Sequence, residues 1–184
     1  MIIYLPKLQY KNIILFDIEY DHNSLVQLAF IILGAKGPEV YEVKKSFNVY
    51  MKQSHSLSQF FTSYTNINDV YLRNNGLDLP RARALVEEVV FDIEVSDTLL
   101  VGHGMDNDMR LLDEYNICLS RFSNRYDTYK HAKKVLKRNQ RLSLAEVAAE
   151  DCYFMFDEHN AYADVWGLLH AFSLLVELEG EQND

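Results

Sequence analysis

Three strand patterns in succession open the chain, and helix and strand patterns alternate after them. Residues 13–16 are continuously apolar (Ile-Ile-Leu-Phe), which is typical of a strand buried on both faces. Further strands are predicted over residues 25–33, before the Lys36-Gly37-Pro38 turn, and over residues 40–50. This order predicts an antiparallel meander continued by alternating helices and strands, and therefore an α/β fold with a mixed central sheet flanked by helices.

The later part of the chain supplies the alternating elements. They are a helix beyond Pro80, a strand at 98–101, a helix at 108–115, a short strand ending in a turn at 125–128, and a helix from about 159 to 178. Ser143 and Glu146 form a capping box, which predicts a helix start at Ser143. Residues 54–79 are polar and weakly patterned, so no element is predicted there.

The length and composition of the chain fit one domain, residues 1–184. Its 184 residues are 48% hydrophobic and 24% charged, which is an ordinary globular composition. No apolar run approaches the roughly 20 residues of a membrane-spanning helix, and the first residues lack the features of a signal peptide. Only Cys118 and Cys152 occur, without the spacing of a zinc knuckle or a disulfide framework. A cytoplasmic protein without a membrane partner is therefore expected.

The charge balance is strongly acidic. A net charge of −9 argues against passive, charge-driven binding of nucleic acid, which relies on lysine and arginine. The 27 acidic residues raise the question of where they lie. Some of them can hold divalent cations, which reverse the local sign of the electric field.

Two carboxylates follow the first buried strand. Asp17 and Glu19 stand at positions i and i+2, so both side chains point to the same side of the strand. Neighbouring carboxylates at the end of a buried strand repel each other unless a cation or a proton lies between them. A solvated strand end is the ordinary alternative for a single Asp-x-Glu pattern.

Two further aspartates lie where the helical pattern calls for apolar residues. Asp108 shares the apolar stripe of its predicted helix with Leu111. Asp164 shares a face of the last helix with Ala161 and Leu168. Buried aspartates are costly and are normally paired or bound to a metal. Because these elements can meet at one edge of a sheet, we expect the acidic residues to converge there.

Four converging carboxylates predict a two-metal site. Such a site holds two divalent ions about 3.5–4 Å apart, as a clamp for in-line displacement at phosphorus. Oxygen ligands favour Mg²⁺ or Mn²⁺ over zinc. His159 lies five residues before Asp164, and imidazole titrates near neutral pH, which suits a general base that takes a proton from the attacking water.

Three segments together resemble the exonuclease motifs of the DnaQ-like DEDDh family. They are Phe16-Asp-Ile-Glu19, Gly102-His-Gly-Met-Asp-Asn-Asp108 and His159-Asn-Ala-Tyr-Ala-Asp164. The resemblance covers nearly the whole chain and implies a ribonuclease-H-like fold and a 3′–5′ exonuclease. It also implies the roles of the site residues, with His159 as general base and four ligands of two Mg²⁺ or Mn²⁺ ions, namely Asp17, Glu19, Asp108 and Asp164. The sister DEDDy group has tyrosine four residues before the last aspartate, where this chain has Asn160.

The sequence departs from the family pattern at two places, neither of which removes a ligand. Tyr20-Asp21-His22 follows the first motif, where members often have Thr-Thr-Gly. Gly104 and Asn107 stand before Asp108, where many members have an asparagine and an aromatic residue. Tyr20 is a candidate for stacking on a terminal base. His103 is expected to brace the turn before Asp108 and is a second candidate substrate contact.

Two other patterns have a structural explanation. Phe91-Asp-Ile-Glu94 repeats the first motif letter for letter, but it ends a helical pattern, where i and i+2 side chains diverge. The only basic cluster favours a solvated helix face over a track for phosphates, and its members are Lys130, Lys133, Lys134, Lys137, Arg138 and Arg141.

The sequence therefore predicts an exonuclease that releases nucleoside 5′-monophosphates from the 3′ end of DNA or RNA. The alternative is a domain of the same fold that only binds nucleic acid or docks to a protein. The five site residues favour the enzyme, because a binding module has no physical need for buried carboxylates. The patterns leave open whether the substrate is DNA or RNA, and whether a polymerase or another protein is a partner.

Overall fold

The computed structural model describes residues 1–150 and 159–182. The strands in this part of the chain are β1 (Ile2–Tyr4), β2 (Asn12–Asp21), β3 (Ser24–Gly37), β4 (Val40–Tyr50), β5 (Thr98–Gly102) and β6 (Asn124–Asp127). The helices are α1 (Gln59–Thr65), α2 (Asp69–Asn75), α3 (Leu79–Val90), α4 (Asp106–Glu114), α5 (Thr128–Val135), α6 (Leu144–Ala148) and α7 (Ala161–Gln182). A 3₁₀ turn spans Cys118–Arg121.

The six strands form one mixed sheet in the order β1-β4-β3-β2-β5-β6. β2, β3 and β4 pair antiparallel, and β1 adds an antiparallel edge strand to β4. β5 and β6 join on the other side of β2 as parallel strands. The predicted meander and the mixed central sheet are therefore confirmed. β2 is the strand at which the sheet changes from antiparallel to parallel pairing.

Helices cover both faces of the sheet. Side chains of β2 alternate between the two faces, because successive residues of a strand point in opposite directions. Ile13 and Leu15 pack into the core beneath α7, whereas Ile14, Phe16 and Ile18 pack into the core beneath α3 and α4. β2 is thus buried on both sides, as its continuous apolar run predicts.

Four short elements were not predicted from the sequence, one of them the 3₁₀ turn at Cys118–Arg121. α1 and α2 are seven residues long and begin at the side-chain caps Ser58 and Asn68, in the segment that has weak periodicity. Their caps are ordinary helix-start residues, but two turns of helix do not establish an apolar stripe. β1 spans only three residues at the sheet edge.

The last helix is long and apolar enough to cross a membrane by length and composition, over the window Ala161–Gly180. The sequence-based expectation that no such run exists was therefore wrong. In the fold, 56% of this window is buried, and α7 packs against β2 and β3. A mostly buried core helix passes the same test, so the window alone does not indicate a membrane span.

Of the two cysteines, Cys152 lies outside the described residues. Cys118 has a free thiol at the 3₁₀ turn. Burial, with the nearby Glu87, raises the pKa of this thiol to about 12. Cys118 is therefore protonated at neutral pH, unlike a nucleophilic cysteine.

Candidate active site

β2 carries Asp17 and Glu19 to the face of the sheet that α7 covers. They continue the row of Ile13 and Leu15, so two carboxylates occupy positions where the alternation would place further apolar side chains. Ala29 lies opposite Asp17 on β3 and leaves space beside its carboxylate. On this face, β2 therefore contributes core residues first and acidic site residues at its end.

The first turn of α7 brings a third carboxylate to this point. Asp164 is buried, and one oxygen of each of Asp17, Glu19 and Asp164 lies within 4.8 Å of the other two. This spacing is suited to a shared divalent cation, because carboxylate oxygens coordinate Mg²⁺ at about 2.0–2.1 Å. Ordinary repulsion would otherwise drive the three groups apart.

Asp108 approaches from the opposite side of the sheet end, in the first turn of α4. β5 ends at Gly102, where a Cβ atom would lie 2.7 Å from Cγ of Met105 and 3.1 Å from Cε1 of Phe16. Gly104 has a φ of 71°, a backbone conformation that glycine adopts readily. These two glycines let the chain turn tightly from β5 into α4, and the charge of Asp108 in α4 acts on Asp17 and Glu19 at the end of β2.

Burial and mutual repulsion raise the pKa values of these carboxyl groups. Burial raises the pKa of Asp17 well above its ordinary value, and the charges of Asp164, Asp108 and Glu19 raise it further. The pKa of Glu19 rises to about 8 from burial and from the charges of Asp164 and Asp108. The pKa of Asp108 rises to about 7, through burial and the charge of Asp127. Without a cation, this site therefore retains protons near neutral pH.

His159 lies at the head of α7 and is tied to Asp164. Its backbone N–H donates to Oδ2 of Asp164 at 3.0 Å, which gives the five-residue spacing of the motif a physical cause. Its φ is 68°, in the left-handed region that few residue types visit and that histidine visits more often than most. The imidazole stacks on the ring of Tyr64 from α1, with 3.5 Å between centroids.

Gln27, which was not predicted from the sequence, anchors the head of α7. It is fully buried on β3, opposite Glu19, and its Oε1 accepts the backbone N–H of Ala161 at 3.2 Å. Its Nε2 donates to Oδ1 of Asn160 at 3.2 Å, and Oδ1 of Asn160 also accepts the N–H of Tyr162. Asn160 therefore caps α7. The available signal was a glutamine within the apolar run of residues 25–33.

Comparison with known proteins identifies the fold. No family model matches the chain, and no curated protein matches it. Solved structures do match, including cell-death related nuclease 4, with a TM-score of 0.73 and 14% identity over 92% of this chain. Exonuclease I of E. coli in complex with a dA16 oligonucleotide gives a TM-score of 0.70 and 17% identity over 93% of the chain. The nuclease domain of 3′hExo, a DEDDh family member bound to rAMP, gives a TM-score of 0.71 and 15% identity over 95% of this chain.

The chain has the fold of these nucleases. The predicted ribonuclease-H-like architecture and the resemblance to DEDDh exonucleases are thus confirmed at the level of structure. The chain spans 65% of the length of cell-death related nuclease 4 and 42% of exonuclease I, but 93% of the 3′hExo nuclease domain. It therefore matches the nuclease domain of that protein nearly end to end.

In this exonuclease fold, three of the four predicted metal ligands line a cavity of about 650 Å³, and Asp108 is not among its lining residues. Asp17, Glu19, His159 and Asp164 form one wall, and Tyr64 lies beside them. The facing wall is formed by the start of α5 and the loop before α6, and it contributes Tyr129, Arg141, Leu142, Ser143 and Leu144. Arg141 is the member of the basic cluster that reaches this cavity among the described residues.

Three other members of the basic cluster have partners outside this cavity. Lys130 donates to Oδ1 of Asp106 at 2.8 Å, and Arg138 donates to Oε2 of Glu150 at 3.0 Å. Lys133 lies 5.1 Å from the centroid of the Tyr129 ring, on the same helix. The predicted helix face holds only for the members up to Lys134, because α5 ends at Val135 and the other three follow the helix. Arg141 differs from the other members by lining the acidic site.

The two candidate substrate contacts have different positions. Tyr20 is exposed, but it is not among the residues that line the cavity, and Tyr64 is the exposed tyrosine that is. His103 does line the cavity, and its ring nitrogens lie 3.0 Å from Oγ1 of Thr128 and 3.0 Å from the carbonyl of Leu142. Burial lowers the pKa of His103, so its neutral form holds the start of α5 against the loop before α6.

The residues that depart from the family pattern have structural roles. Asp21 accepts hydrogen bonds from the backbone N–H and the hydroxyl of Ser58, at 2.6 and 2.7 Å, and so fixes the start of α1. Gly104 donates its N–H to Oδ1 of Asp127 at 2.9 Å, which holds the turn before α4. Asn107 accepts from the guanidinium of Arg110.

The repeated motif at residues 91–94 is far from forming a second site. α3 ends at Val90, and Asp92 and Glu94 lie exposed in the turn that follows. The predicted distinction between the two Phe-Asp-Ile-Glu segments therefore agrees with their placement, since the first lies in a buried strand and the second on the surface.

Proposed function

We propose that this chain is a metal-dependent 3′–5′ exonuclease that releases nucleoside 5′-monophosphates from single-stranded DNA or RNA. The observation that carries the proposal is the convergence of Asp17, Glu19 and Asp164 within 4.8 Å, with Asp108 and His159 beside them. An exonuclease fold without such a cluster would support only a binding module. The crowding of buried carboxyl groups costs stability, and cation binding gives that cost a function.

The ligand chemistry of the site fits divalent metal ions. Asp17, Glu19 and Asp164 would hold one ion, and Asp108 would contribute to a second. All of these ligands are oxygens, which Mg²⁺ and Mn²⁺ prefer. When bound, such ions stabilise the charge that develops on the attacking and leaving oxygens of phosphoryl transfer.

The chain's own residues would position and deprotonate the nucleophile. His159 would accept a proton from water as the water oxygen bonds to phosphorus. The bond from phosphorus to the 3′ oxygen of the adjoining nucleotide breaks, and this oxygen takes up a proton. Asp164 holds the backbone of His159, and the stack with Tyr64 restricts its ring. Arg141, across the cavity, would bind a phosphate oxygen of the substrate. The products are a nucleoside 5′-monophosphate and a strand with a new 3′-hydroxyl.

The substrate class is proposed from the cavity and from the related folds. One neighbour was solved with a DNA oligonucleotide and another with rAMP, so this fold serves both sugars. The exposed rings of Phe60 and Tyr64 on α1 stack on each other at 5.6 Å beside the cavity, and unpaired bases stack on such surfaces. A single-stranded end is therefore the proposed substrate.

Metal dependence tests the function directly. Strands of DNA and RNA labelled at the 5′ end should shorten one nucleotide at a time with Mg²⁺ or Mn²⁺, and with Mn²⁺ at least as fast as with Mg²⁺. Activity should disappear after chelation and return when metal is added. Full activity after exhaustive dialysis against EDTA would contradict the two-metal site. Two bound Mn²⁺ equivalents without turnover would instead support a binding module.

The raised carboxyl pKa values predict how stability depends on pH. In the metal-free protein these groups favour folding when protonated, so their contribution is present at low pH and is lost as pH rises through about 7 and about 8. Mn²⁺ binds the ionised groups, so its stabilising effect should grow between about pH 5 and pH 8. The measurement is the Tm with EDTA and with Mn²⁺ across this range, where each kcal/mol shifts the Tm by roughly 2–4 °C. A metal-induced shift that is constant with pH would contradict the assignment.

A further inference from the structure

A second cavity, of about 270 Å³, lies between the loop that follows β4 and helix α2. The side chains that define its chemistry are Lys52, Ser54, His55, Ser56, Asp69 and Arg73. We call it the Lys52–Arg73 cavity. It is separate from the acidic site, with which it shares none of its lining residues.

The wall of the Lys52–Arg73 cavity is held in place by backbone contacts. The N–H of Lys52 donates to the carbonyl of Leu77 at 2.8 Å, and the N–H of Leu57 donates to Oδ1 of Asp69 at 2.9 Å. Gly76 fits tightly between Leu72 and Lys52, since a Cβ atom there would lie 2.6 Å from the carbonyl oxygen of Leu72 and 3.1 Å from the nitrogen of Lys52. The cavity is thus preformed, and ligand binding does not require the loop to be ordered first.

The cavity is positively charged, although the chain has a net charge of −9. Within the described residues, neither Lys52 nor Arg73 forms an ion pair, whereas many other cations pair with a carboxylate. The one acidic side chain in the wall, Asp69, is engaged by the N–H of Leu57. Two cations, an imidazole and two hydroxyl groups are the donors that proteins direct at phosphate oxygens.

The loop that lines this cavity and helix α1 connect it to the acidic site along the chain. The loop that lines the cavity ends at Ser58, which caps α1 and is held by Asp21 at the end of β2. From there α1 presents Phe60 and then Tyr64, which are 75% and 48% exposed. The Tyr64 ring stacks on His159. Along the chain, the cavity is therefore followed by two exposed rings, and the second ring contacts His159 in the acidic site.

We propose that the Lys52–Arg73 cavity binds a backbone phosphate of the nucleic-acid strand on the 5′ side of the nucleotide that is removed. This inference rests on the proposed exonuclease function and adds a second anchor to it. A strand held at both places would cross the Phe60 and Tyr64 rings with its bases unpaired. The anchor favours single strands long enough to reach the cavity over dinucleotides, which occupy only the acidic site.

The test compares a cavity variant with a control that removes the same charge. Lys52→Ala/Arg73→Ala removes the two cavity cations, and Lys134→Ala/Lys137→Ala removes two exposed cations that line neither cavity. The cavity variant should raise KM for a long single strand roughly tenfold and reduce the slope of log K against log salt by about 0.7 for each phosphate that is no longer neutralised. Its kcat, and its kcat/KM for a dinucleotide, should match those of the wild type. The control should change little.

Additional variants and measurements distinguish the possible results. Lys52→Arg/Arg73→Lys conserves both charges and should retain strand affinity, which shows that a weaker affinity of the alanine variant is not due to misfolding. Equal effects of the cavity variant and the control, or an unchanged KM for the long strand, would overturn the anchor. Calorimetric binding of inorganic phosphate without any effect of strand length would likewise overturn it, as an adventitious anion site. A wild type inactive on both substrates would instead refute the proposed function, and anisotropy of a labelled strand would still test the cavity.

Discussion

Asp17→Asn is expected to reduce exonuclease turnover below detection while leaving the fold intact. Asp17 faces three other carboxylates, Glu19, Asp108 and Asp164, so its charge serves both proposed ion positions. Asparagine has nearly the same size but provides no negative charge and only one oxygen ligand. In EDTA the variant should be more stable than the wild type near neutral pH, because a buried amide, unlike the Asp17 carboxyl group, needs no proton to stay uncharged. Turnover on end-labelled strands and the Tm with EDTA measure both effects.

The chain contains its own matched control for this substitution. Asp92 stands in the same Phe-Asp-Ile-Glu context, but it lies exposed in the turn after α3. Asp92→Asn should therefore leave turnover, metal binding and the Tm close to wild-type values. Equal losses of activity in the two variants would mean that the catalytic carboxylate has been placed at the wrong segment.

The sequence predicted the site because its chemistry conflicts with its surroundings. Apolar alternation in β2 requires further hydrophobic residues after Leu15, and the chain has Asp17 and Glu19 there. Asp164 interrupts the apolar face of α7 in the same way, and it is buried. A charge in the core is costly unless it is paired or bound to a cation, so the local pattern and this cost together identified these residues. Long buried strands and helices were predictable because their apolar residues follow a regular pattern.

The missing parts of the site depend on contacts that no local pattern encodes. Tyr64 lies on a seven-residue helix with exposed aromatic rings, and its stack on His159 joins distant parts of the chain. Arg141 resembled its basic neighbours, and only the path of the loop before α6 brings it to the cavity. Gln27 is recognisable in the sequence as a polar residue in an apolar run. Its partners at the head of α7 are brought to it only by the fold.

His159→Ala is expected to reduce turnover by roughly 10²–10⁴, the usual contribution of a positioned general base. The affinity for Mn²⁺ should change little, because the carboxylates rather than the imidazole are the proposed ligands. In the wild type, turnover should fall on acidification as the imidazole becomes protonated, and this acid limb should flatten or shift in the variant. The measurements are pH–rate profiles of both proteins at saturating Mn²⁺, with metal binding followed by calorimetry.

His103 provides the comparison that separates a base from a structural histidine. It lines the same cavity, but both of its ring nitrogens are within hydrogen-bond distance of protein groups, Thr128 and the carbonyl of Leu142. His103→Ala should lower the Tm, since it removes the link between the start of α5 and the loop before α6, and should keep the acid limb of the wild type. If His159→Ala retained near wild-type turnover, or simply lost its metal, His159 would not be the base. If instead the acid limb disappeared in the His103→Ala variant, His103 rather than His159 would accept the proton.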